Sequence, residues 1–122
     1  MSLAILGTGM AVPARRVTND DLAQVMDTSD AWIRERTGIG SRYLSTTENT
    51  SDLGTQAALN AIKDAKIDPK TIDGILCATL TPDAMMPSTA ALIQAKLGLK
   101  AQRCLAFDLN AACSGFLLAL QT

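Results

Sequence analysis

Histidine is absent from all 122 positions. Imidazole is the commonest general base and acid near neutral pH. A nucleophile in this chain must therefore use another group, or one outside this sequence. Cysteine is scarce, at three, and Cys77, Cys104 and Cys113 are unclustered. An odd, scattered set argues against a disulfide framework and against a zinc site. Net charge is close to nil, at −1, so the total points to neither nucleic acid nor an anionic membrane. No apolar run is long enough to span a bilayer, and the N-terminus lacks a basic-then-apolar signal. These absences make the cytoplasm the expected location. Gly7-Thr8-Gly9 lacks the third glycine of a dinucleotide loop, because position 12 is Val12. There is no internal repeat and no low-complexity linker.

What is present is an ordinary globular composition, 48% hydrophobic and 19% charged, in a chain long enough for one domain with a core. Leu3-Ala4-Ile5-Leu6 reads as a buried strand. Thr18 and Asp21 have capping-box spacing and open a short helix to about Met26. Ser29-Asp30 starts a second helix, which stops near Gly38. Ser45–Thr50 is polar and reads as a loop. Ser51 then caps a helix whose Leu53, Ala57, Ala61 and Ala65 form one small-residue stripe, suited to packing on a sheet. That helix ends before Asp68-Pro69. Ile75–Leu80 is a second buried strand, closed by a Thr81-Pro82-Asp83 turn. Met85-Met86-Pro87 is a loop, and methionine is an adaptable filler of apolar gaps and binding surfaces. Ser88 caps another helix, closed by Gly98, and Leu99 to Arg103 lead into the next strand. The alternation implies an α/β layered fold with a mostly parallel sheet.

The chemistry is expected around Leu105–Leu120. A short apolar run, fit for a strand buried on both faces, turns through Asn110-Ala111-Ala112 into a Leu- and Ala-rich run fit for a helix. Cys113 lies at the junction, at the carboxyl end of the strand, where reactive groups of such sheets belong. Free N–H groups and the helix dipole at that place favour the thiolate. Gly115 leaves the turn open to a ligand. The design is that of a serine nucleophile elbow with sulfur in place of oxygen. A free cysteine also serves as a small buried apolar filler. Cys77 and Cys104, inside apolar runs, are expected to be inert core thiols.

Trp32 and Arg36 are four residues apart on the second helix, so they share a face. A guanidinium and an indole can stack on each other or grip a flat ligand; equally, Trp32 can be a core anchor under a solvated Arg36. Five of the six arginines lie between Arg15 and Arg42, balanced there by five acids, Asp20, Asp21, Asp27, Asp30 and Glu35.

Three segments together resemble the N-terminal part of the β-ketoacyl-acyl carrier protein synthase III family, of the thiolase superfamily. They are Thr28 through Ile39, Thr81-Pro82-Asp83 with Pro87-Ser88, and Phe107 through Gly115. The resemblance covers essentially the whole chain. It implies a thiolase-like α/β fold, with residues 1–122 as the N-terminal half-domain carrying the nucleophilic cysteine, and with the chain truncated. It implies a decarboxylating condensation of an acyl-CoA primer with malonyl-acyl carrier protein, in a homodimer, with no bound cofactor and no metal. By that resemblance Cys113 is acylated, and its own backbone N–H helps hold the oxyanion. Trp32 and Arg36 grip the CoA adenine, with Thr28 nearby. Met86 reaches the acyl pocket of the partner subunit. The family's catalytic histidine and asparagine belong to its second half and have no counterpart here; Asn110 does not match that asparagine. Residues 1–122 alone are thus expected to be inactive. The rival readings are a related condensing enzyme making alkylquinolones, ketones or a polyketide starter, and a non-catalytic fragment.

Overall fold

Capping chemistry decides where the helices of this chain start, and in the computed structural model, which describes residues 3–99 and 103–122, most of those starts fall where the sequence signals them. The described chain divides into two compact units, Val12–Glu48 and a second made of Met1–Ala11 with Asn49–Thr122.

The first unit holds β1 (Arg15–Thr18), α1 (Asn19–Ala23), α2 (Asp30–Thr37) and β2 (Ser41–Leu44). β1 and β2 pair antiparallel, from Arg15 opposite Leu44 to Thr18 opposite Ser41. Neither strand was signalled by the sequence, because four residues with one buried apolar side chain, Val17, give almost no period to read. The capping box is present: the Thr18 hydroxyl accepts from the Asp21 N–H at 3.1 Å and the Asp21 carboxylate accepts from the Thr18 N–H at 2.8 Å. α1 ends at Ala23, short of the Met26 end expected, and the following residues close as turns. α2 starts after Ser29, whose hydroxyl accepts from the Trp32 N–H at 3.1 Å. It stops at Gly38, which takes the left-handed φ of 73° that glycine adopts without steric cost.

The second unit holds α3 (Thr50–Ala65), β3 (Gly74–Ala78), α4 (Thr89–Lys96), β4 (Leu105–Leu109) and α5 (Gly115–Gln121). β3 and β4 pair in parallel, from Gly74 opposite Leu105 to Ala78 opposite Leu109. α4 lies against both strands and against α3, and buries Ala90 and Ile93. The α3–α4 contact is close at Gly54, where an added Cβ would stand 2.6 Å from Ile93 Cδ1. α3 is capped by the Asn49–Asp52 pair rather than by Ser51, which lies inside the first turn and is fully buried. β3 ends at Ala78, two residues before the expected Leu80.

The N-terminal stretch departs from expectation. Leu3 to Leu6 is neither strand nor buried: Leu3, Ile5 and Leu6 are about 70% exposed. No strand of the described residues pairs with it, and an extended segment needs a neighbour to satisfy its backbone groups. The segment runs along α3 instead. An added Cβ on Gly9 would lie 2.1 Å from the Ala57 carbonyl oxygen, and one on Gly7 2.7 Å from that of Ala61. The small-residue stripe of α3 is therefore a seat for Gly7 and Gly9 rather than for a sheet. Asp64 accepts from the Thr8 N–H at 2.9 Å, and Asn60 donates to the Met10 carbonyl at 2.9 Å, which fixes the seat. Of the link from Leu99 to Arg103, residues 100–102 lie outside the described residues.

Candidate active site

Each unit carries part of the expected site. In the second, β4 delivers the chain to Asn110, and a single 3₁₀ turn, Ala112–Ser114, holds the exposed Cys113 before α5 begins at Gly115. The sequence put Cys113 at the strand-to-helix junction, at or near the helix start, and the structure has it there, within this turn two residues before α5. Ala112 has φ of +46°, a left-handed value that costs an L-residue roughly 1–2 kcal/mol, and it redirects the chain just before the thiol. Gly115 has a visible reason: an added Cβ would sit 3.0 Å from the Ala78 Cβ, so α5 starts hard against the end of β3. Where both strands end, a cleft of about 410 Å³ is lined by Ala78, Thr79, Thr81, Leu109, Ala111 and Ala112. It reaches the residue that precedes Cys113.

The other two thiols sit in different surroundings. Cys77, on β3, is half-buried, and burial pushes its pKa up, with the Asp108 and Asp83 carboxylates adding to the effect. Cys104 is also raised, by desolvation first and then by Asp73. Neither is fully buried, so the expected core role holds only loosely.

Two carboxylates that the sequence left without a role fix the loops around the cleft. Asp108 accepts from the Thr89 and Ala90 N–H groups at 2.7 and 2.8 Å, while the Ser88 hydroxyl takes the Ala91 N–H at 3.2 Å. The strand that leads to Cys113 thus grips the first turn of α4, and with it the end of the Met85-Met86-Pro87 loop. A charged residue inside the otherwise apolar strand Leu105–Leu109 was the signal available for it. Asp83 accepts from the Ser51 N–H at 2.9 Å and from the Ser51 hydroxyl, and Thr50 donates to the Thr81 carbonyl at 2.6 Å. These bonds pin the Thr81-Pro82-Asp83 turn to α3. Met86 projects from its loop 86% exposed and is not among the residues lining the cleft.

In the first unit the Arg36 guanidinium lies over the Trp32 ring, 4.4 Å from its centroid. At that separation the pair stacks on itself, and a flat ligand enters only if Arg36 swings off. Arg36 is free to do so: its side chain is half exposed and its contact with Glu35 is long, at 3.4 Å. Trp32 is 53% exposed, so it is not a core anchor. Thr28 and Trp32 line a common hollow of about 310 Å³ with Asp27 and Ser29. Trp32 thus meets Thr28 on one side and Arg36 on the other, though Arg36 does not line that hollow; Cys113 and Met86 belong to the other unit.

No known family profile matches the sequence. The chain is 54% identical over 121 residues to β-ketoacyl-[acyl-carrier-protein] synthase III of Clostridium acetobutylicum, covering 99% of this chain and 37% of that protein. It superposes on the crystal structure of 3-oxoacyl-[acyl-carrier-protein] synthase III from Aquifex aeolicus with a TM-score of 0.89 at 47% identity, covering 96% of this chain and 37% of that one. It is also similar to the priming β-ketosynthase of the R1128 polyketide pathway, with a TM-score of 0.87, 36% identity, and coverage of 95% and 34%. The chain spans about a third of the length of the relatives it matches. Its layered α/β fold is of their thiolase-like type.

Proposed function

The chain belongs, along nearly its whole length, with one part of β-ketoacyl-acyl carrier protein synthase III, and from that premise we propose that it carries the nucleophile and part of the acyl-CoA site of a priming condensing enzyme. The reaction joins an acyl-CoA primer to malonyl-acyl carrier protein and begins fatty-acid synthesis in the cytoplasm. The Cys113 thiolate attacks the thioester carbonyl of acyl-CoA. The CoA thiolate leaves, and the acyl group stays on sulfur. Malonyl-acyl carrier protein then loses carbon dioxide, and its carbanion attacks the Cys113 thioester. The C–S bond breaks, the Cys113 thiolate returns, and β-ketoacyl-acyl carrier protein departs. The Cys113 N–H is a donor to the oxyanion of both additions. Histidine and asparagine donors for the decarboxylation come from the remainder of the longer protein, so residues 1–122 alone do not condense. Trp32 and Arg36 open to take the CoA adenine between them, beside Thr28. Met86 extends to the acyl pocket of the second subunit of a homodimer and limits primer length.

The observation that carries this reading is Cys113 itself: an exposed thiol, after a left-handed alanine, at the carboxyl end of a parallel strand pair beside an open cleft. Incubation of the complete protein with acyl-CoA and peptide mass mapping tests it. The acyl mass is expected on the peptide holding Cys113. Acyl mass on Cys77 or Cys104, with Cys113 clean, overturns it.

Likeness to the polyketide priming synthase supports a second reading, in which the same nucleophile serves a secondary-metabolite starter such as an alkylquinolone, ketone or polyketide. A panel of primers with product analysis separates the two readings.

A further inference from the structure

α2 presents Trp32 and Arg36, yet none of its eight residues is buried. Apolar packing therefore does little to fix its direction. One side chain from outside the helix holds both of its ends instead. Asn19 is 1% exposed. Its Nδ2 donates to the carboxylate of Asp30, the first residue of α2, at 2.7 Å, and to the carbonyl of Ile39, just past the last, at 2.8 Å. Its backbone N–H donates to the Gly40 carbonyl at 3.3 Å. Its Oδ1 accepts from the Arg42 guanidinium of β2 at 2.6 Å.

These partners leave the amide only one orientation, since Asp30 and Ile39 only accept and Arg42 only donates. Both amide hydrogens and the amide oxygen are used, in a site closed to water. Arg34 completes the arrangement: its Nε donates to both Asp30 oxygens at 2.9 and 2.8 Å. Gly40 leaves room for that guanidinium, because an added Cβ would lie 2.6 Å from its Nη2.

We propose that Asn19 is a positioning residue for the Trp32–Arg36 pair: by tying both ends of α2 it sets the presentation of the two side chains, and hence the affinity for acyl-CoA, without touching the ligand. The inference rests on reading that pair as the nucleotide grip. An aspartate at position 19 has the same shape and no donor, and it faces the Asp30 carboxylate and the Ile39 carbonyl. Loss of buried donors in this way is worth about tenfold or more in the equilibrium they control.

The test uses the complete enzyme carrying Asn19→Asp, Asn19→Ser or Trp32→Ala, with circular dichroism as the check of folding. Asn19→Asp is expected to raise the KM for acyl-CoA about tenfold or more, with Asn19→Ser between it and the parent. At saturating acyl-CoA, kcat and the KM for malonyl-acyl carrier protein stay within about twofold. A purely structural role behaves differently, lowering the active fraction and therefore kcat while leaving the KM for acyl-CoA alone. Folded Asn19 variants with an unchanged KM for acyl-CoA, in a series where Trp32→Ala raises it, overturn the positioning role and leave the grip standing. An unchanged KM in Trp32→Ala overturns the grip and the proposal together. Failure of both Asn19 variants to fold makes Asn19 a folding residue and also overturns the proposal.

Discussion

The two units lean on different devices. Residues 12–48 are fixed by directional bonds among a few polar side chains: the buried Asn19 amide with the half-exposed Asp30 and with Arg34 and Arg42 in one knot, Thr18 with Asp21 in an exposed capping box. Residues 49–122, with the N-terminal stretch, have carboxylate bonds at Asp64, Asp83 and Asp108 and add to them close backbone approach, which the first unit uses little: Gly7 and Gly9 on α3, Gly54 against Ile93, Gly115 against Ala78. The lesson is one of tolerance. A polar knot fails when a donor is exchanged for an acceptor of equal volume, and it tolerates small changes in size. A glycine seat fails when volume is added, even with every hydrogen bond around it kept. The first suits a surface that must offer two side chains in a set direction. The second suits a scaffold that must hold a thiol at the end of a strand.

The largest effect that would break this contrast is at Gly9. Gly9→Val in the complete protein adds volume where a Cβ already meets the Ala57 carbonyl oxygen at 2.1 Å and the Ala61 nitrogen at 2.3 Å. We expect a loss of about 3 kcal/mol or more, read as a lower midpoint in a denaturant titration. A midpoint equal to that of the parent would mean the N-terminal stretch is not seated on α3.

Next in size is Trp32→Ala, on the polar side of the comparison. Losing a ring that stacks with a guanidinium at 4.4 Å should weaken acyl-CoA binding, raising its KM about tenfold, or roughly 1–2 kcal/mol. Thermal stability should hardly move, since the ring is half exposed. A large fall in melting temperature with an unaltered KM would turn Trp32 back into a structural anchor.

Met86→Phe probes the loop that Asp108 ties to β4. A larger, stiffer side chain at the proposed pocket should shift the ratio of kcat/KM values toward acetyl-CoA over longer primers by a few-fold, a difference of about 1 kcal/mol. Equal ratios for parent and variant would remove Met86 from primer selection.

The smallest expected effect is none. The Asn19 amide, then the Arg34 guanidinium, hold the Asp30 carboxyl below its usual range. A carboxylate with a depressed folded-state pKa contributes fully above the ordinary value of about 3.9, and the contribution is lost only as pH falls through the depressed value. The KM for acyl-CoA should therefore show no Asp30 inflection between about pH 6 and about pH 8. An inflection in that window that vanishes in Asp30→Asn would show the knot to be weaker than its geometry.

What the sequence determined by itself was local. Ser29 and Ser88 start helices, Thr18 and Asp21 close a capping box, and Gly38 stops α2 because each acts on backbone groups within a few residues. The strand, turn and cysteine at Leu105 to Cys113 were legible for the same reason: period and punctuation lie in one short window. The antiparallel ribbon was missed because two four-residue strands carry too little period, and Leu3 to Leu6 was misread because an apolar run does not say whether a strand lies beside it. Everything that joins distant positions was left to the tertiary structure. Asp108 holds an α4 start 18 and 19 residues away, and Thr8 finds Asp64 across 56. Asn19 reads in sequence as the first residue of a helix, and only folding places its amide between Asp30 and Ile39. Such bonds have no spacing rule, because their geometry exists only once both chain segments have been packed together.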